Sequence, residues 1–295
     1  VTMKNPNIRS LNRFDIIILV IIVIIGLVNL AKPFMGDQAI STMMASKMSR
    51  GEVIYRDLWD LKQPGIFCFY LLGGVLFGFN EIGIHTFELL YMVIFSIILI
   101  LALQDYFSNR SVVSIVPLFT VGIYYGVSGI WHQTQTEALV GFPIFLSLWS
   151  ACRSGQSKKN WSFHLLLSGF MCGIVLLFKF IYLPILLGFW FAVLTEKIAR
   201  EHERLPITLF RFGLPVFLGA LPPFLIMFGY FAWHDMLGLV SWTFCNYPAR
   251  VMAEIPFRTD ILFDGLQWFI KKFSPVMALG AIGAYTSMGK TRNLM

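Results

Sequence analysis

The sequence predicts an all-α, polytopic integral membrane protein. Three observations carry this reading. Of the 295 residues, 57% are hydrophobic and only 13% charged, where a soluble domain carries about a quarter charged. Mean hydropathy is +0.72. The apolar residues fall in long runs separated by short basic loops, the pattern of membrane helices. The net charge of +7 invites a nucleic-acid reading, but the bases are scattered and form no stripe with interleaved aromatics, so no nucleic-acid partner is expected.

The first span is expected over 14–31, preceded by Lys4, Arg9 and Arg13. Its apolar run is too long for a cleaved signal and no small-residue cleavage site follows, so it reads as retained. Residues 64–79 are apolar but short for a crossing. Charge decides their place. If they do not cross, later spans fall at 84–103, 112–130, 137–151, 162–178, 182–196, 212–232 and 273–288. The inner side then holds Lys4, Arg9, Arg13, Arg110, Arg153, Lys158, Lys159, Lys197, Arg200, Arg204, Arg211, Lys290 and Arg292, more than half of the 23 bases. If they cross, the basic loops 152–161 and 197–211 face outward. The expectation is therefore about eight spans with both ends inside. Residues 64–79 form a juxtamembrane helix, and two long outer loops run over 32–83 and 233–272.

Within the first outer loop, residues 37–50 place Ile40, Met43, Met44 and Met48 near one helical face, which predicts an interfacial amphipathic helix ended by Gly51. The second outer loop carries Trp233, Trp242, Tyr247 and Trp268, expected of an interfacial belt, and a candidate amphipathic segment over 261–273. The four cysteines show no metal spacing. Cys68 and Cys245 could share the outer side, where a disulfide is conceivable.

The stretch from Asp37 to Gly65 gathers four acids and four bases beside a span. Charges there are costly to desolvate, so a cluster of both signs suggests a site. An acid follows the first span (Asp37), and then come Gly51, Tyr55, Asp57, Trp59, Asp60, Lys62, Pro64, Gly65 and Leu76-Phe77-Gly78. In these residues the chain resembles the GT-C membrane glycosyltransferases, in the branch of the protein O-mannosyltransferases and the lipid A aminoarabinose transferase. The resemblance is specific over about 35–80 and extends loosely to Glu137 and Lys179.

The resemblance implies an enzyme that moves a sugar from a polyprenyl-phosphate carrier to an acceptor hydroxyl, with inversion. The acceptor would be a glycan, a lipid or a protein, and the reaction would take place on the outer face of a bacterial plasma membrane. It implies Asp37 as the catalytic base, since such a transfer needs a group to accept the proton of the attacking hydroxyl. The competing role for Asp37 is a helix N-cap. The family often has a second acid beside this one, where this chain has Gln38. It also implies that Lys62 contacts the carrier phosphate, although Gln63 stands where many relatives have proline. A lysine is a compact charge suited to a phosphate, or else an interfacial anchor. Arg56 or Lys179 would assist, and Glu137 would line the cavity or pair with a base. Asp57 and Asp60 stand three apart and would share a helix face. They could hold a divalent cation, or pair with Arg56 and Lys62. No cofactor beyond that cation is implied. His85 and Glu88 flank the start of the second span, His85 reading as a hydrogen-bonded anchor, and Arg250 is a weaker contact candidate.

Full members of the family carry more spans and often a soluble C-terminal domain. The expectation is a single transmembrane domain over 1–295 that corresponds to an N-terminal half truncated at Met295. Two rival readings remain open. A transporter or flippase for lipid-linked sugars should show matching halves of broken spans, and none are seen. A non-catalytic membrane subunit is favoured by truncation.

Overall fold

The computed structural model describes residues 10–107, 109–127, 129–154, 160–201, 205–254 and 259–271, together with 274, 277 and 278. The architecture is helical, and the described residues contain no strand beyond an isolated bridge between Ile54 and Leu58. The chain falls into two compact units, Val1–Val240 and Ser241–Met295. Among the described residues, eleven α-helices lie wholly in the first unit. These are α1 (Arg13–Val28), α2 (Asp37–Met48), α3 (Pro64–Phe77), α4 (Glu81–Leu103), α5 (Arg110–Pro117), α6 (Ile123–Val127), α7 (Thr136–Leu139), α8 (Gly141–Ser154), α9 (Trp161–Phe178), α10 (Leu183–Glu201) and α11 (Leu205–Trp233).

Four helical stretches among the described residues are long and apolar enough to cross a membrane: Glu81–Leu103, Arg110–Val127, Trp161–Phe178 and Pro206–Trp233. The second joins α5 and α6 through a π-helical turn, Leu118–Gly122. That turn follows Pro117, which has no N–H for the helical ladder. Others of the expected spans are shorter or interrupted. The 16 residues of α1 rise about 24 Å, short of the ~30 Å hydrocarbon core. The stretch expected over 137–151 is interrupted at Val140 between α7 and α8. The span expected over 273–288 lies outside the described residues except at 274, 277 and 278. Lys4, Arg9, Lys158, Lys159, Arg204, Lys290 and Arg292 lie outside them too.

Local sequence explains the helix starts. Asn12 accepts from the Asp15 N–H and the Asp15 carboxylate accepts from the Asn12 N–H, both at 2.8 Å, a reciprocal cap. The same buried carboxylate takes Arg110 at 2.7 Å and the Ser114 hydroxyl at 2.5 Å, tying α1 to α5. Behind that tie, Leu19, Ile100 and Val113 form a buried cluster. The outward side of α1 stays apolar, with Ile16, Ile17, Val20 and Ile24 exposed as a lipid-facing helix requires.

The long loop expected over 32–83 is mostly structured. In α2 the apolar residues share a helical face, but not one environment. Met44 is buried, but Ile40 and Met43 are 42% and 50% exposed. The inward side is Gln38, Ser41, Thr42, Met44 and Ala45, where Gln38 bonds the backbone carbonyls of Ile130 and Gln133. Gly51 follows the helix end with φ of +95°, a turn that a side chain would strain. The residues after it form a compact loop, not a helix. Tyr55 sits in the left-handed region (φ +68°), is buried, and packs its ring 5.6 Å from Phe231. Its hydroxyl donates to the Lys62 carbonyl at 2.8 Å, fixing the far end of the loop.

Helix α3 starts with Pro64 at its first turn, where the missing N–H costs nothing. It buries Ile66, Phe67, Phe69, Tyr70, Gly73 and Gly74 and exposes Leu72, Val75 and Leu76. Gly65 meets the end of α9. A methyl group at that position would lie 2.7 Å from the Leu177 carbonyl and 2.8 Å from the Phe178 nitrogen. Only glycine lets the two backbones approach so closely.

The second unit is also helical where a long loop was expected. It includes a π-helical turn, Trp242–Asn246, then Tyr247–Glu254, and helical backbone over 259–271 whose side chains are exposed. Trp242 and Tyr247 pack at 5.5 Å. All four cysteines are free, so the conceivable Cys68–Cys245 bridge is not formed.

Three substitutions test this framework. Gly65→Ala forces backbone apart and is expected to destabilise by about 1–3 kcal/mol. Gly188→Ala, whose added methyl meets open space, should stay within about 0.5 kcal/mol. Thermal denaturation in detergent compares them, and equal melting temperatures would contradict the close approach. Tyr55→Phe removes one hydrogen bond to Lys62 and should cost about 1 kcal/mol. Amide exchange should rise over 53–62 and stay unchanged over 161–178.

Candidate functional site

A cleft of about 320 Å³ opens where four segments meet. Asp37 comes from the start of α2, and Leu61, Lys62 and Gln63 from the end of the Tyr55 loop. Gln135, Thr136 and Glu137 come from the entry to α7, and Phe178, Lys179 and Ile181 from the end of α9. The close approach at Gly65 brings the second and fourth of these together, since Lys62 lies just before Gly65 and Lys179 just after Phe178.

Two acid–base pairs line this cleft. The Lys62 ammonium lies 3.0 Å from Asp37 and 3.2 Å from Asp60. Burial pulls the Lys62 pKa down, but hydrogen bonds and charge from Asp37 and Asp60 outweigh that and leave it above the ordinary lysine value. The ammonium is therefore kept charged in a half-buried place. Across the cleft, Lys179 lies 2.5 Å from Glu137. Both pairs join segments far apart in sequence.

Asp37 is the first residue of its helix. The N-cap position belongs to Gly36, with φ of +52°, so the competing role for Asp37 is not the one it takes. A carboxylate in the first turn is favoured by the helix dipole, and this one also reaches Lys62.

The other charged candidates divide. Asp57 and Asp60 do not share a helix face, because residues 53–62 are irregular. Asp57 accepts both guanidinium nitrogens of Arg56, each at 3.0 Å, and the Val53 N–H at 2.8 Å. Those bonds hold its pKa down at about 2. Arg56 is thus engaged at the surface and does not line the cleft. Asp60 accepts the Lys62 backbone N–H at 3.1 Å as well as the ammonium, which sets the turn that aims Lys62. Among the described residues, no group of three or more His, Cys, Asp or Glu is placed to hold a metal ion. Arg250 is exposed in the second unit. His85 is buried, its Nδ1 3.0 Å from the Leu30 carbonyl and its ring edge-on to Phe34.

Sequence reasoning underrated Gln38. Its buried amide donates to the Ile130 carbonyl at 3.0 Å and to the Gln133 carbonyl. A second carboxylate here would face two carbonyl oxygens with no proton to give, so the amide suits a clamp and not a paired-acid mechanism. The visible signal was the amide itself, an uncharged donor directly after Asp37.

The family model described as dolichyl-phosphate-mannose-protein mannosyltransferase matches residues 62–226. That range begins at Lys62 and includes Glu137 and Lys179, while Asp37, Arg56, Asp57 and Asp60 precede it. No curated protein and no solved structure matches the chain. The match covers more than half of the sequence, and the helices are apolar and membrane-length. The chain is an integral membrane protein and belongs to the dolichyl-phosphate-mannose-protein mannosyltransferase family, a glycosyltransferase family of the GT-C type.

Proposed function

We propose that this chain transfers a sugar from a polyprenyl-phosphate carrier to an acceptor hydroxyl, with inversion, at the outer face of the plasma membrane. The observation that carries the reading is the Lys62–Asp37 pair, 3.0 Å apart in a cleft that Lys179 also lines. The cleft contains two lysines and two carboxylates, so it is balanced when empty. A phosphate that binds Lys62 and Lys179 competes with Asp37 and Glu137 for them. The carboxylate it displaces from Lys62 is then free to accept a proton.

In that arrangement Asp37 takes the proton from the acceptor hydroxyl. The acceptor oxygen forms its bond to the anomeric carbon from the face opposite the carrier. The bond from that carbon to the phosphate oxygen breaks, and the carrier phosphate leaves with the electron pair. The lysines stabilise its added charge, which is the term that most favours the transition state. Lys179 is the second phosphate ligand in this account. Arg56 is not, because it pairs with Asp57 at the surface and does not line the cleft. The prenyl tail lies against the exposed apolar sides of the helices, where lipid already belongs.

Transfer from a panel of radiolabelled polyprenyl-phosphate sugars in proteoliposomes tests this. Asp37→Asn should insert normally and lose transfer by about 100-fold or more, the usual worth of a general base. Lys62→Met should weaken donor use by about tenfold or more, as expected for loss of a charge-assisted phosphate contact. Arg56→Met should change it less than about threefold. Full transfer by Asp37→Asn would remove the proposed base. Equal losses in Lys62→Met and Arg56→Met would remove the phosphate assignment.

A further inference from the structure

We propose that Glu88 is a positioning residue that sets the geometry of the cleft through the linker between α6 and α7. Glu88 lies on α4, fully buried, and does not line the cleft. Its carboxylate is met by donors. The Tyr124 hydroxyl donates to Oε1, the Thr134 hydroxyl to Oε2 at 2.8 Å, the Thr134 N–H to Oε1 at 3.2 Å, and the Gln133 amide to Oε2 at 3.4 Å. The Tyr124 oxygen also accepts the Thr134 N–H at 2.8 Å, so its own proton is committed to Glu88. A carboxylate, which only accepts, fits this ring of donors. A glutamine would turn an NH₂ group towards one of them.

The linker held in this way would not adopt its shape unaided. Thr134 has φ of +52°, a region that β-branched residues avoid. Further bonds grip the same segment. The Tyr70 hydroxyl donates to the Thr134 carbonyl at 3.0 Å, and the Gln133 amide reaches the Asn29 carbonyl at 3.4 Å. Gln38 donates to the carbonyls of Ile130 and Gln133. The linker is therefore joined to both ion pairs through neighbouring residues of the chain. One residue before Gln38 is Asp37, and three residues after Thr134 is Glu137, the partner of Lys179. Burying an ionisable group costs stability that an apolar residue would not. What Glu88 supplies in return is a fixed distance between the two halves of the cleft.

The catalytic consequence rests on the transferase reading above, whereas the clamp itself does not. The experiment uses the full chain in lipid nanodiscs and compares Glu88→Gln, Thr134→Val and Thr134→Ser. Amide exchange is read over 130–137 and, as a reference, over 161–178. Turnover is measured at saturating donor. Glu88→Gln and Thr134→Val should raise exchange over 130–137 by roughly tenfold and leave 161–178 unchanged. Their kcat should fall by about tenfold or more, as expected when reacting groups are displaced without being removed. Thr134→Ser keeps the hydroxyl and should hold both readings within about threefold of the unmodified chain. Unchanged exchange over 130–137 in Thr134→Val overturns the clamp. So does a loosened linker with unchanged kcat. If Glu88→Gln exchanges faster everywhere, Thr134→Val and its serine counterpart decide alone. If the unmodified chain transfers no sugar from any donor, the transferase reading has failed, and the clamp stands or falls on exchange over 130–137.

Discussion

Lys62 must keep its charge in a half-buried place at the edge of an apolar helix bundle, and the surrounding structure follows from that requirement. Asp37 and Asp60 supply the compensating charge at 3.0 and 3.2 Å. Holding them there requires a rigid loop, which Tyr55 provides through the Lys62 carbonyl, and a turn, which Asp60 provides through the Lys62 N–H. It also requires that α3 leave the loop directly against α9. The bare backbone at Gly65 permits that contact, and it delivers Lys179 to the same cleft.

The two ion pairs are arranged for exchange more than for stability. Pairs this exposed contribute about 0–1 kcal/mol, so they do little to hold the helices together. In the proposed transfer, their value lies in keeping two cations ready, without leaving either uncompensated near lipid. An anion entering the cleft replaces carboxylates that are already half in solvent; the Asp37 side chain is 53% exposed. Such replacement costs less than desolvating an isolated lysine. The buried polar groups behind the cleft have the opposite character. Gln38, Glu88 and Thr134 are nearly sealed from solvent and hold one arrangement of the linker. Exchangeable charges in front of a fixed polar frame are what a site for a charged lipid headgroup needs.

The membrane helices were legible in the sequence because hydropathy needs no tertiary information. The bounds of α4 and α9 come close to the expected spans, while α11 begins seven residues before the expected 212 and takes in Arg211. The break at Val140 and the polar inward face of α2 were not, because each depends on what packs against it. The charged residues were legible as candidates but not as partners. Asp57 and Asp60 look equivalent three residues apart, yet one faces Arg56 and the other Lys62, since the chain there turns irregularly around Tyr55. Arg56 and Lys179 looked interchangeable as helpers of Lys62. The approach of α3 to α9 and the pairing of Arg56 with Asp57 separate them. Glu88 was read only as flanking the start of the second span, and nothing local indicates that its donors come from residues 124–134.

The most direct test of the account is to map where a carrier phosphate sits. A polyprenyl phosphate bearing a photoreactive group next to its phosphate would be crosslinked to the full chain in nanodiscs, and the labelled residues identified by mass spectrometry. The account predicts labels clustered at 61–63 and 178–181, competed by unlabelled polyprenyl phosphate and lost in a Lys62/Lys179 double substitution. Labels centred on Arg56 and Asp57, or an unchanged pattern in the double substitution, would contradict it.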